Sequence, residues 1–265
     1  MNSIVIYPSM ACAFRGGKHC PYCWVDYREQ QTGVIAPLPW EQWRDFLLRL
    51  PPAVVDIVGG EPLQYPGLYD LLASIAGHHE WALTTNLLGT PDYRRLVDEP
   101  LTGCCHITWS YHPFSPQNDK TWERFRRLRD VYGAQVTASV VRWGNVPVRE
   151  IVQMFADQGV PCAVNDYQPP QGNQENDVWQ RCNGGHTHIV VDTAGNVYPC
   201  FALYERPDRD RWVKGHISTF TFRSERMVCR QECGPCYRAP GNPFRIDLET
   251  ITATEAARLV QVASI

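Results

Sequence analysis

The chain has 265 residues, 44% of them hydrophobic and 20% charged, with a net charge of −3; this suits one large α/β domain, alone or with a small appendage, and excludes the broad basic surface of a nucleic-acid partner. No run approaches about 18 consecutive apolar residues, and Met1-Asn2-Ser3-Ile4 lacks the pattern of a signal peptide, so no membrane association is expected and the protein is read as cytoplasmic. Eleven cysteines in such a compartment point to metal ligation more than to disulfides.

The first predicted strand is Ile4 to Tyr7, and three cysteines follow: Cys12, Cys20 and Cys23. Cys20-Pro21-Tyr22-Cys23 puts two thiolates a short turn apart, and Cys12 can add a third across a loop that Gly16 and Gly17 allow to bulge outward. Three thiolates on a four-iron cluster leave one iron open to a small molecule. A CxxC pair with a further cysteine is also a zinc pattern. The loop carries Arg15, Lys18 and His19, which suit an anionic substrate group or the docking of an acidic reductant.

Pro39-Trp40-Glu41 opens a helix through Leu50, with Trp40, Trp43, Phe46, Leu47 and Leu50 at helical spacing. The β-branched run Val54 to Val58 reads as a buried strand that stops at the tight turn Gly59-Gly60-Glu61-Pro62. A helix from Gly67 to Ala76 follows, then strands Trp81 to Thr85, Cys104 to Tyr111, Gln135 to Arg142 and Cys162 to Tyr167, with helices over 119–131 and 147–158. Alternating βα units imply a parallel sheet curled into a full or partial barrel, with the chemistry at the C-terminal ends of the strands. Those ends are polar: Thr84, Thr85 and Asn86, then Ser110, Tyr111 and His112, then Ser139 and Arg142, then Asn165 to Gln168. Arg142 presents a donor fork that matches a carboxylate, or caps the rim through an ion pair. His112 is a candidate catalytic group facing substrate. Cys104, Cys105 and Cys162 begin strands away from this end and read as buried thiols.

After Pro169-Pro170 a polar stretch through Asn176 reads as a linker, dividing residues 1–170 from 171–265. Ile189 to Cys200 forms a β-hairpin about Gly195 that brings Cys182 and Cys200 towards one another, and Cys229, Cys233 and Cys236 add further thiolates. Four thiolates in hairpin-plus-CxxC form suit an iron-sulfur cluster or a closed zinc site.

The cysteine triplet with Tyr22, the Gly-Gly-Glu-Pro turn and the β/α repeat resemble the radical S-adenosylmethionine superfamily over most of the chain. The first cysteine gap holds seven residues where that family usually has three. The resemblance implies a partial (β/α)6 TIM-like barrel with a small C-terminal β-hairpin plus helix domain of the Twitch or SPASM kind. It implies a 4Fe-4S cluster on Cys12, Cys20 and Cys23 that binds S-adenosylmethionine, with Tyr22 against the adenine and Gly59, Gly60, Glu61 and Pro62 at the methionine amino group. Thr85, Asn86, Ser110, Ser139 and Arg142 would surround the rest of that cofactor. The five later cysteines match one auxiliary 4Fe-4S cluster on Cys182, Cys200, Cys233 and Cys236. Cys229 is then a spare thiol, a substitute ligand or a catalytic hydrogen donor. The implied activity is reductive cleavage of S-adenosylmethionine and hydrogen abstraction from a small-molecule natural-product intermediate, with electrons from a flavodoxin- or ferredoxin-like reductant. A maturase or epimerase acting on a short peptide is the alternative, and a non-catalytic zinc-binding protein is a second.

Overall fold

The computed structural model describes residues 2–12, 14, 20, 22–23, 36–88, 91–166, 175–204, 206, 209–222, 226–231, 248–252 and 254–255. The strands in chain order are β1 (Asn2–Ile6), β2 (Ala53–Ile57), β3 (Glu80–Thr85), β4 (Cys104–Tyr111), β5 (Val136–Arg142), β6 (Cys162–Asp166), β7 (Glu175–Cys182), β8 (His188–Val191), β9 (Asn196–Tyr198), β10 (Gly215–His216), β11 (Met227–Gln231) and β12 (Leu248–Ile251). The helices are α1 (Trp40–Leu48), α2 (Leu68–Ile75), α3 (Pro91–Asp98), α4 (Asn118–Tyr132), α5 (Val148–Ala156) and the single turn α6 (Phe201–Tyr204). Among the described residues no helix is long and apolar enough to cross a membrane.

Nine strands make one sheet in the order β10-β9-β8-β1-β2-β3-β4-β5-β6. From β1 to β6 neighbours in space are neighbours in sequence and every pair is parallel. Parallel crossovers of one hand place successive helices on the same face of such a sheet. That face is the main core: Ile4, Val55, Leu83, Ile107 and Val136 alternate along their strands and pack with Trp43, Phe46 and Leu47 of α1, Leu71 and Leu72 of α2, and Phe125 and Leu128 of α4. Trp109 of β4 meets Trp122, Phe125 and Phe155 with ring centroids 4.9–5.6 Å apart, locking β4 to α4 and α5. Aromatic pairs of this kind add about 0.5–1.5 kcal/mol each beyond the area they bury.

The helix predicted through Leu50 stops at Leu48, and α3 has no counterpart among the predicted elements. Tyr93 and Leu96 of α3 join the core and Val97 packs against it, a single i, i+3, i+4 set in an otherwise polar segment.

The later elements differ more. The stretch read as a linker through Asn176 runs into β7 at Glu175, and residues 167–174, which include the expected boundary at 170, lie outside the described residues. The predicted hairpin forms as β8 and β9, with Gly195 at φ +84° in its turn and the Asp192 carboxylate accepting from Ala194 N, Asn196 N and Tyr198 Oη. Its first strand pairs in parallel with β1, so the hairpin extends the main sheet. Burial favours this: Ile189 and Val191 are fully enclosed beside Ile4 and Ile6. A separate three-stranded sheet, β11-β7-β12, carries Cys182 and Cys229.

Candidate active site

The segment after β1 crosses the Gly59-Gly60 turn at close range. Gly60 N donates to Ser9 O at 3.1 Å and Glu61 N to Ala11 O at 2.7 Å. A Cβ on Gly59, which holds φ +135°, would lie 2.4 Å from Ser9 O, and one on Gly60 would lie 2.4 Å from both Met10 O and Ala11 O. The resemblance assigns these glycines to a ligand's amino group; here they admit the backbone that leads to Cys12. Gly60→Ala is expected to lower the melting temperature by about 5–10 °C, as overpacked backbone contacts predict for a chain of this size. Circular dichroism melting checks this, and an unchanged transition would refute the packing role.

Glu61 is fully buried and its carboxylate is a hub. Its Oε1 accepts from Leu63 N at 3.0 Å and Thr85 Oγ1 at 2.5 Å, and its Oε2 accepts from Asn86 N at 2.6 Å. Burial raises it to about 7 despite these bonds. Pro62 follows as the first residue of a buried 3-10 turn. Glu61 thus clamps the turn after β2 to the end of β3, and Asn86 Nδ2 reaches on to Cys12 Sγ at 3.4 Å. Phe14 N donates to the same sulfur at 3.4 Å.

Cys12, Cys20 and Cys23 are half-buried and form no disulfide. Cys23 N donates to Cys20 O at 2.9 Å, closing the CxxC turn. Burial, with smaller contributions from the nearby Glu61 and Cys23, pushes the Cys12 thiol up to about 11. A crowded thiol group of this kind becomes anionic only beside a cation, which is the environment of a metal cluster. Among the described residues no three Cys, His, Asp or Glu side chains close into a metal site by themselves. The donor chemistry fits an iron-sulfur cluster: three reduced thiols, with N–H groups aimed at Cys12 Sγ.

Tyr22 is buried, and its hydroxyl lies 3.0 Å from His112 Nδ1, with the rings stacked at 6.1 Å. Phe14 meets His112 edge-on at 4.9 Å, and Tyr22 lies 6.2 Å from Trp143. Phe14 and Tyr22 are therefore held at the ends of β4 and β5 by an aromatic cluster in which His112 is a member. Arg142 forms an exposed ion pair with Asp166 at 2.9 Å, the rim arrangement weighed in the sequence. Ser139 sits in the middle of β5, opposite Ser110 of β4.

At the other edge, Cys182 and Cys200 share a small buried cluster with Leu203. Phe201 and Tyr204 of α6, directly after Cys200, pack on Tyr7 with centroids 6.4 and 5.1 Å away. Both cysteine groups thus attach to the segment that follows β1. The backbone of Cys229 pairs with Gln180 in the small sheet; Cys233 and Cys236 lie outside the described residues, as do Arg15, Lys18 and His19. Of the three cysteines expected to be buried thiols, Cys104 is buried while Cys105 and Cys162 are half-buried; desolvation raises Cys104 to about 12 and Cys105 to about 11.

No family model and no curated protein matches this sequence. Among solved structures, that of hexahistidine-tagged anSMEcpe with bound AdoMet is similar to it, with a TM-score of 0.59 over 83% of this chain and 78% of that one at 14% identity. The two chains share a fold.

The face of the sheet turned away from the helices carries a group that the sequence motifs do not single out. Asp56 alternates with Val55 and Ile57 and so points to this opposite face, with Val5 beside it on β1 and Ala82 on β3. Among the described residues it makes no hydrogen bond or ion pair, and burial raises it from an ordinary aspartate value to about 7. The folded state therefore favours the protonated acid. Its stabilising contribution is complete below an unfolded value of about 3.9 and is lost as the pH rises through about 7. Asp56→Asn removes that loss. The variant is expected to melt several degrees above the wild type at about pH 8, the gap narrowing towards about pH 4. A constant gap across this range would contradict the assignment.

Proposed function

We propose that the chain is a radical S-adenosylmethionine enzyme whose sheet curls into a partial (β/α)6 barrel. Cys12, Cys20 and Cys23 would hold a 4Fe-4S cluster beside the Gly-Gly-Glu-Pro turn. The observation that carries this reading is the local wiring: the loop bearing Cys12 is bonded to Gly60 and Glu61, and Asn86, fixed by Glu61, donates to Cys12 Sγ. The shared fold with a protein whose structure holds AdoMet supports it.

When bound, the reduced cluster supplies one electron that breaks S-adenosylmethionine into methionine and a 5′-deoxyadenosyl radical able to abstract hydrogen. The chain's own groups position and enclose. Glu61 holds the β2 and β3 ends in register, and its buried carboxylate keeps the turn from opening. His112 fixes the Tyr22 ring, one residue before Cys23, at the end of β4. Carbonyls of the Gly59-Gly60 turn and the side chains of Ser110 and Ser139 are the groups offered to the rest of the cofactor.

Cys182, Cys200, Cys233 and Cys236 would hold one auxiliary 4Fe-4S cluster, which would supply an electron acceptor, so oxidation of a small-molecule natural-product intermediate is the favoured reading. Flavodoxin or ferredoxin is the expected donor to the first cluster. A peptide-modifying maturase or epimerase on the same barrel is the alternative. The deciding experiment is anaerobic purification with iron, sulfide and zinc analysis, followed by an assay for 5′-deoxyadenosine after adding AdoMet and dithionite. Iron with nucleoside supports the proposal; zinc without either ends it.

A further inference from the structure

The face opposite the helices is divided. On the side of β8, β1 and β9 it is filled by Val5, Tyr7, Val190, Tyr198 and Tyr204, a packed apolar and aromatic block. From β2 to β5 it is polar and half-exposed, and its groups fall in cross-strand rows. Asp56, Ala82 and His106 share one row. Thr84, Thr108 and Thr137 share the next, and Ser110 and Ser139 the one beyond. Strands lie about 4.8 Å apart, so Asp56 and His106 flank a notch about 10 Å wide whose floor is the methyl of Ala82.

The partners are as informative as the positions. His106 Nε2 is held by Thr137 Oγ1 at 3.0 Å. The hydroxyls of Thr84 and Thr108 make no hydrogen bond among the described residues, although both side chains lie on a wall too enclosed to be ordinary surface. The strands β1 to β6 contain no lysine and a single arginine, Arg142, which is committed to Asp166 at the rim. Cys105 is the titratable neighbour of Asp56, a thiol that burial keeps neutral. A half-enclosed carboxyl with no cation partner among the described residues, beside the free hydroxyls of Thr84 and Thr108, is incomplete by itself.

We propose that this wall binds a small, hydroxyl-rich amine, with Asp56 taking its ammonium group and Thr84 and Thr108 hydrogen-bonding its hydroxyls. The inference rests on the reading of the sheet as a partial barrel whose inner face receives substrate, and it names the class of that substrate. An ammonium supplies the counter-charge that Asp56 lacks, and binding would return the acid to its ionised form. The notch lies between the end of β1, from which the Cys12 loop and the α6 contact both depart, and the hydroxyl rows of β4 and β5. A molecule of one ring's size seated there stays within the polar half of the face.

The test uses D-glucosamine as probe, against D-glucose and N-acetyl-D-glucosamine, by saturation-transfer NMR titration of the anaerobically purified full chain. The wild type is expected to bind the amine about tenfold more tightly than either neutral sugar, the worth of one charge-assisted contact. Asp56→Asn should erase that preference, whereas Thr108→Val should weaken all three sugars and keep it. Equal binding of the three by the wild type, or a preference that survives Asp56→Asn, overturns the proposal. Should Asp56→Asn fail to fold, the wild-type comparison and Thr108→Val still decide. Iron content and nucleoside formation by the wild type report separately on the AdoMet reading, so the two can fail independently.

Discussion

Replacing Cys12, Cys20 and Cys23 together by alanine is expected to take the anaerobic protein from about eight irons per chain to about four and to abolish 5′-deoxyadenosine formation. The physical ground is the donor set. The three thiols form no disulfide and are half-buried, and N–H groups of Phe14 and Asn86 point at Cys12 Sγ. Removing them takes away every protein ligand of the first cluster and leaves Cys182 and Cys200 in a different buried cluster, attached through α6 to Tyr7. Retention of about four irons would assign these to the later cysteines, and circular dichroism of the variant guards against loss through unfolding. A wild type holding zinc and no iron would exclude the radical reading and leave a metal-stabilised binding protein.

The second large effect is expected at Glu61, whose carboxylate takes three protein donors in a fully buried position. Glu61→Gln keeps the shape and puts an NH2 group where two of those three sites require an acceptor, or one, depending on how the amide turns. Either orientation sets a donor against a donor. The cost is about 2–4 kcal/mol, or roughly 5–15 °C in melting temperature for a chain of this size. Because Asn86 is aimed at Cys12 by its backbone bond to Glu61, the variant should also hold less iron than the wild type. Glu61 is raised to about 7, so the wild type gains stability as the pH falls through that value towards the ordinary carboxylate range while the amide does not titrate, and the difference between the proteins should widen below about pH 7. A variant that melts and loads iron like the wild type would show that Glu61 does not organise the site.

The β/α alternation was legible because the strands carry β-branched runs and the longer helices repeat apolar residues at i, i+3 and i+4, as in Trp43, Phe46 and Leu47. Elements that bury little gave no such signal. In α3 the apolar stripe is one short set, Tyr93, Leu96 and Val97, among charged residues, and β7 reads as polar coil from Glu175 to Asp177. Asp56 was hidden differently: within Val54 to Val58 it looks like part of one buried run, and a strand enclosed on both faces conceals which residue points where. A lone carboxylate in a β-branched strand was the signal available. The sequence shows Glu61 only as part of its own turn, whereas two of its donors, Thr85 and Asn86, come from the end of the next strand.

The sequence by itself determined the local order of this protein: which segments are strands, where they stop, and that thiols and glycines stand at those stops. These follow from side-chain periodicity and from backbone freedom, which act over a few residues. Only the tertiary structure decided that Gly59 and Gly60 make room for the Cys12 loop, that β8 joins the main sheet beside β1, and that Asp56, His106 and the threonines share one wall. Such pairings depend on strand register and burial between segments far apart in the chain, and sequence spacing does not encode which of several apolar edges will meet.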